Sequence, residues 1–74
     1  MDQIEVGQEF EFIKPADLDG KLIVKGTRVR VGFIVDDGFE QTVTVVVLGR
    51  TPAESLTMPR HVLTLHSISV AKQA

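Results

Sequence analysis

Two stretches of alternating residues, one on each side of Asp36-Asp37-Gly38, constrain this chain more than any other feature. Between Thr27 and Val35, residues Val29, Val31, Phe33 and Val35 share one side, and Arg28, Arg30, Gly32 and Ile34 share the other. A period of two marks a half-buried strand, because successive side chains leave an extended backbone on opposite faces. The stretch Thr42 to Gly49, TVTVVVLG, begins in the same way and then becomes apolar on both faces at Val45-Val46-Val47-Leu48. Asp36-Asp37-Gly38 between the two fits a three-residue hairpin loop with its glycine in the left-handed position. That loop sets Val35 opposite Phe39, Phe33 opposite Gln41, Val31 opposite Val43, Val29 opposite Val45 and Thr27 opposite Val47, so the valines of both strands share a core. A two-residue Asp37-Gly38 loop would set Val31 against Thr44 and turn the valine row of the later strand outward, so burial favours the three-residue register. Thr42, Thr44, Val46 and Leu48 then occupy the outer face beside Gly32, Arg30, Arg28 and Gly26, a row half polar and half apolar.

The rest of the chain reads as further short strands. In QEFEFIKP, Phe10 and Phe12 alternate with Glu9 and Glu11 until Pro15 ends the strand. A turn-rich loop, ADLDG, and a minor apolar run from Lys21 to Lys25 follow, with Gly26 permitting a bend. In GRTPAESL, Thr51, Pro52 and Glu54 have the spacing of a capping box around one helical turn. In TMPRHVLTL, Pro59 stops the preceding element, Arg60 and His61 form a tight turn, and Leu63 and Leu65 face inward from a last strand. Ile68 and Val70 have the opposite parity, which calls for a bulge near His66-Ser67 or a tail leaving the sheet.

This pattern, carried by GQEFEF, GTRVRVGFIV, TVTVVVLG and MPRHVLTL between Val6 and Ser67, resembles the SH3-like small barrels. The resemblance implies an all-β fold: one five-stranded SH3-like barrel over residues 1–74, with at most one short helical turn. An OB-like barrel is the alternative, since a capped turn before the last strand is also where that fold keeps its helix. Peptide-binding members of the SH3-like group display aromatic grooves, and Tudor-like members build aromatic cages. This chain has no Trp or Tyr, and its four phenylalanines mostly take inward positions, so neither function carries over.

Seventy-four residues without cysteine leave room for one core with no disulfide and no thiolate zinc site to reinforce it. Oligomerisation is the remaining support, and the apolar outer half-strand is where it is expected, with Arg28, Thr44, Val46 and Leu48 as the contact. A net charge of -2 draws the chain toward neither nucleic acid nor an anionic membrane. The acidic beginning MDQIEVGQEF lacks the positive start and apolar run of a secretory signal, and no segment reaches membrane-spanning length, which points to the cytoplasm.

The residues suggest little chemistry. His61 and His66, five apart along a turn and strand, do not converge on a metal, and Asp36-Asp37 is accounted for by turn formation. Ser55, Ser67 and Ser69 lack an elbow motif and a His-Asp partner. No catalytic residue, metal ligand or cofactor is therefore assigned. The expectation is a non-catalytic interaction module that associates with itself or with another protein. The alternative is a nucleic-acid-binding barrel that uses the edge Lys21, Lys25, Arg28 and Arg30, although Glu9 and Glu11 project nearby and no exposed aromatic is available for stacking. A more remote alternative is an enzyme whose site forms only in an oligomer.

Overall fold

The computed structural model describes residues 4–18 and 20–70. Along the chain run β1 (Glu9–Phe12), β2 (Ala16–Leu18), β3 (Lys21–Ile23), β4 (Arg28–Asp36), β5 (Gln41–Val47), β6 (Glu54–Pro59), α1 (Arg60–His66) and β7 (Ser67–Ser69). The protein is mostly β with one short helix. Five strands form one antiparallel sheet in the order β6-β5-β4-β1-β7, and β2 pairs with β3 in a separate two-stranded sheet. Among the described residues no ladder joins β6 to β7, so the larger sheet has two open edges. The predicted loop ADLDG is in part strand β2, and its Asp19 lies outside the described residues.

The inner face of the sheet carries Phe10 and Phe12 from β1, Val29 and Val31 from β4, Val43, Val45 and Val47 from β5, and Met58 from β6, all buried. Ala16 and Ile23 of the small hairpin and Leu63 of α1 complete this cluster. Alternation in β1 and β5 predicts these inward residues correctly, because one face of each strand meets the core and the other does not.

The β4–β5 register differs from the three-residue expectation. Val31 pairs with Val45 rather than Val43, and Val29 pairs with Val47. Between Val31 and Phe33 the register shifts, leaving Gly32 as an extra residue in a β-bulge. Past the bulge Phe33 faces Thr44, Ile34 faces Val43 and Val35 faces Thr42. One inserted residue reverses the parity of a strand, so Ile34 turns inward while Phe33 and Val35 turn outward. A Cβ at position 32 would only touch the Thr44 carbonyl oxygen, at 3.4 Å, so glycine marks this bulge without being sterically required there.

The connection is consequently Asp37 to Glu40. Asp37 Oδ1 accepts hydrogen bonds from the N–H groups of Phe39 (2.9 Å) and Glu40 (3.1 Å), and Asp36 Oδ1 accepts one from Gly38. Both aspartates thus shape the turn, and Gly38 takes the left-handed conformation at φ 93°. Phe39, expected inward opposite Val35, stands 97% exposed on this loop.

Two expectations near the end of the chain are also corrected. No helical turn forms at Thr51 to Glu54: the Thr51–Pro52 peptide is cis and Glu54 opens β6. The helix comes later. Pro59 sits at its N-cap position, where the missing N–H costs nothing, and Arg60 to His66 follow. Helical spacing buries Leu63 and turns Leu65 outward at 64% exposure, where a strand would have buried both. The helix ends where the Ser67 hydroxyl and N–H both donate to the Leu63 carbonyl. The parity break at His66-Ser67 is therefore a junction between helix and strand.

Candidate interaction surface

The outer face of the five-stranded sheet holds the residues singled out for interaction, and it divides into two lanes. The first lies over β1 and the start of β4. There Glu9 is directly opposite Arg30 and Glu11 directly opposite Arg28. Arg28 Nε donates to Glu11 Oε1 at 3.1 Å, and an Arg30 guanidinium nitrogen lies 3.8 Å from Glu9 Oε2. Opposite charges directly across a ladder attract, so this lane is covered by its own ion pairs.

The second lane lies over the end of β4, β5 and β6. It comprises Phe33, Val35, Thr42, Thr44, Val46 and Thr57, none of them charged. Phe33 is 55% exposed and Val35 49%. Val46 is half-buried between Arg30 and Ser55 in the register. Leu48, whose N–H donates to the Arg28 carbonyl, is also half-buried, and Thr44 shares its hydroxyl with that of Thr57 at 3.0 Å. The apolar half-strand is thus partly shielded within one chain by the side chains that flank it. The larger exposed area belongs to Phe33 and Val35, which the sequence pattern had placed inward. The one signal for them is Gly32, an isolated glycine inside a strand pattern and a typical bulge position.

The candidate basic edge is dispersed. Lys21 points to β6, with its Nζ 2.8 Å from Glu54 Oε2, whereas Arg28 and Arg30 pair with β1. Arg50 shares Glu54, at 2.5 Å. Lys25, at the bend beside Gly26, makes no ion pair among the described residues. The hydrogen bond from Lys21, aided by the charges of Lys21 and Arg50, holds the Glu54 carboxyl below its ordinary value. The Asp37 carboxyl is lowered by the N–H of Glu40 and then that of Phe39.

The histidines lie apart in role. His61 is exposed on α1, while His66 Nδ1 is 3.0 Å from the Pro15 carbonyl oxygen. No group of three or more metal-ligating side chains occurs among the described residues. An open groove of about 520 Å³ runs between the β4–β5 loop and α1, past Asp36, Phe39, Glu40, Arg60 and His61. A smaller pocket of about 210 Å³ lies between β3 and β6, lined by Leu22, Ile23, Val47 and Leu56 beneath the Lys21–Glu54 pair. Among the described residues no helix is long and apolar enough to cross a membrane. Compared with family models, curated proteins and solved structures, the chain matches none.

Proposed function

We propose that this protein is a non-catalytic, self-associating interaction module, working in the cytoplasm, whose contact is the uncharged lane of the outer face. The observation that carries the reading is the pair Phe33 and Val35, about half exposed on a flat strand face. Phe33 faces Thr44 and Val35 faces Thr42, while Val46, opposite Arg30, is where this lane meets the Glu–Arg lane. Contiguous apolar surface of this kind is costly in water and marks contact sites. A second copy suits it because a two-fold contact sets the same neutral lane against itself without burying an unpaired charge. Thr44, Val46 and Leu48 then belong to the contact, with Arg28 at its rim.

Two features of the element order support the SH3-like reading, although the five-stranded sheet itself is open. A long first connection carries the small β2–β3 hairpin, and Pro59 and one helix lead into the last strand. For nucleic-acid binding the support is weaker, since Lys21, Arg28 and Arg30 are each engaged by a carboxylate.

Sedimentation equilibrium tests the reading. The wild-type protein at tens of micromolar is expected to exceed the mass of one chain, and Phe33→Lys with Val35→Lys is expected to lower that mass while the far-ultraviolet dichroism is unchanged. An equal mass for variant and wild type would remove the outer face from the contact.

A further inference from the structure

The direction of the backbone hydrogen bonds assigns a second contact, at the free edge of β6. Leu48 N–H donates to the Arg28 carbonyl at 2.9 Å, so Arg28 and Leu48 form a hydrogen-bonded pair of the β4–β5 ladder. Such pairs recur every second residue, so Arg30 and Val46 form the next one, and the backbone groups of Val46 point toward β4. Those of Val45 and Val47 then point toward β6, where they meet Leu56 and Glu54. It follows that the N–H and C=O groups of Ser55 and Thr57 face away from β5, into the open. Pro59 has the same parity, so its missing N–H also faces outward and costs the ladder nothing.

Protection of this edge is confined to its two ends, Glu54 with its ion pairs and Pro59 with its missing N–H, and leaves the middle of the strand unguarded. Proteins blunt sheet edges with charge, proline, bulges or short strands. The other edge, β7, is three residues long. By contrast, β6 pairs with β5 over six consecutive positions without a register shift, and Ser55-Leu56-Thr57-Met58 carries no charge. Among the described residues no ladder joins the β2–β3 hairpin to β6, and Ser55 and Thr57 are exposed.

We propose that β6 pairs antiparallel with β6 of a second copy about a two-fold axis at Leu56. Only registers that set outward-facing groups against outward-facing groups can bond, and this one sets Ser55 opposite Thr57 of the partner subunit and Thr57 opposite Ser55 of the partner subunit. Each such pair exchanges two hydrogen bonds, about four in all, and none falls on Pro59. Side chains directly opposite in an antiparallel ladder lie on the same face. The half-buried Leu56 therefore meets Leu56 of the partner subunit on the inner face, and serine meets threonine outside. A second copy is the occupant because the strand is self-complementary in hydrogen bonding, apolar character and face. The pairing goes beyond the outer-face contact and does not require it. Its axis is perpendicular to the sheet, whereas that of a face-to-face contact lies along it, so the two contacts use different surfaces and can form together.

The experiment uses the Phe33→Lys, Val35→Lys protein, in which the outer face is disabled. Its sedimentation mass at millimolar concentration is expected to be that of two chains. The amides of Ser55 and Thr57 should exchange with deuterium at least about tenfold more slowly at millimolar than at low micromolar concentration. The Leu56 amide, bonded within one chain, should be protected equally at both. Adding Thr57→Pro should give one chain. Adding Ser55→Lys with Thr57→Lys instead keeps every backbone donor and should do the same through like-charge repulsion. A one-chain mass for wild type at millimolar concentration overturns the proposal. So does exchange at Ser55 and Thr57 that is indifferent to concentration, or that slows only when an unrelated extended peptide is added. Failure of the outer-face reading is a different result: the Phe33→Lys, Val35→Lys protein would then have the mass of wild type.

Discussion

The two halves of β4 make opposite use of the same sheet face. From Arg28 to Val31 the strand sends arginines outward onto Glu11 and Glu9, and the core beneath is filled by Val29 and Val31. From Phe33 to Asp36, past the bulge at Gly32, it sends Phe33 and Val35 outward with no charged neighbour on β5. The first half finds its outer partners within the chain, while the second leaves Phe33 and Val35 about half exposed. A single unpaired residue makes that difference, because it inverts which side chains reach the core.

Removing what both halves rest on should break the comparison first. Phe12→Ala empties a fully buried position beneath the charged lane and is expected to cost about 3–5 kcal/mol in urea unfolding. A loss near zero would mean that the sheet is not closed over Phe12. Next in size is the effect on association. Phe33→Lys with Val35→Lys should lower the sedimentation mass, and should lower the melting temperature chiefly at concentrations where wild type associates, because a bound second copy stabilises the folded chain by mass action.

The charged half sharpens the comparison through a smaller effect. Arg28→Gln with Arg30→Gln should lower stability by no more than about 0–1 kcal/mol per ion pair, since both arginines are more than half exposed. A variant that no longer folds would show that the arginine stems, and not their charges, hold the lane together. Smallest is an acid effect at Glu54, which bridges the hairpin to β6. Its carboxyl is lowered from an ordinary 4.5, so its stabilisation is fully present above that value and fades as pH falls through the lowered one. Thermal melts taken between neutral and acid pH should therefore fall less steeply for Glu54→Gln than for wild type. Parallel curves would show that the Lys21–Glu54 pair contributes nothing in solution.

The sequence by itself determined the all-β character, the core faces of β1 and β5, the burial of Val29 and Val31, and the outward direction of Glu9, Glu11, Arg28 and Arg30. Each of these depends only on a period of two and on which side is apolar, and that information is local. Tertiary structure decided the rest. The loop at Asp37 to Glu40 follows from the bulge at Gly32, and whether a strand bulges is settled by how its valines meet those of the next strand, not by its own alternation. Leu63 and Leu65 fit a strand by spacing, while Pro59, Val62, Leu63 and His66 fit a helix equally well. In the helix Leu63 stays buried, Leu65 turns outward, and His66 reaches the Pro15 carbonyl, 51 residues earlier in the chain. The exposed pair Phe33 and Val35 and the open edge of β6 were hidden for the same reason. Exposure belongs to an assembled sheet, and it exists only once every strand has taken its neighbour.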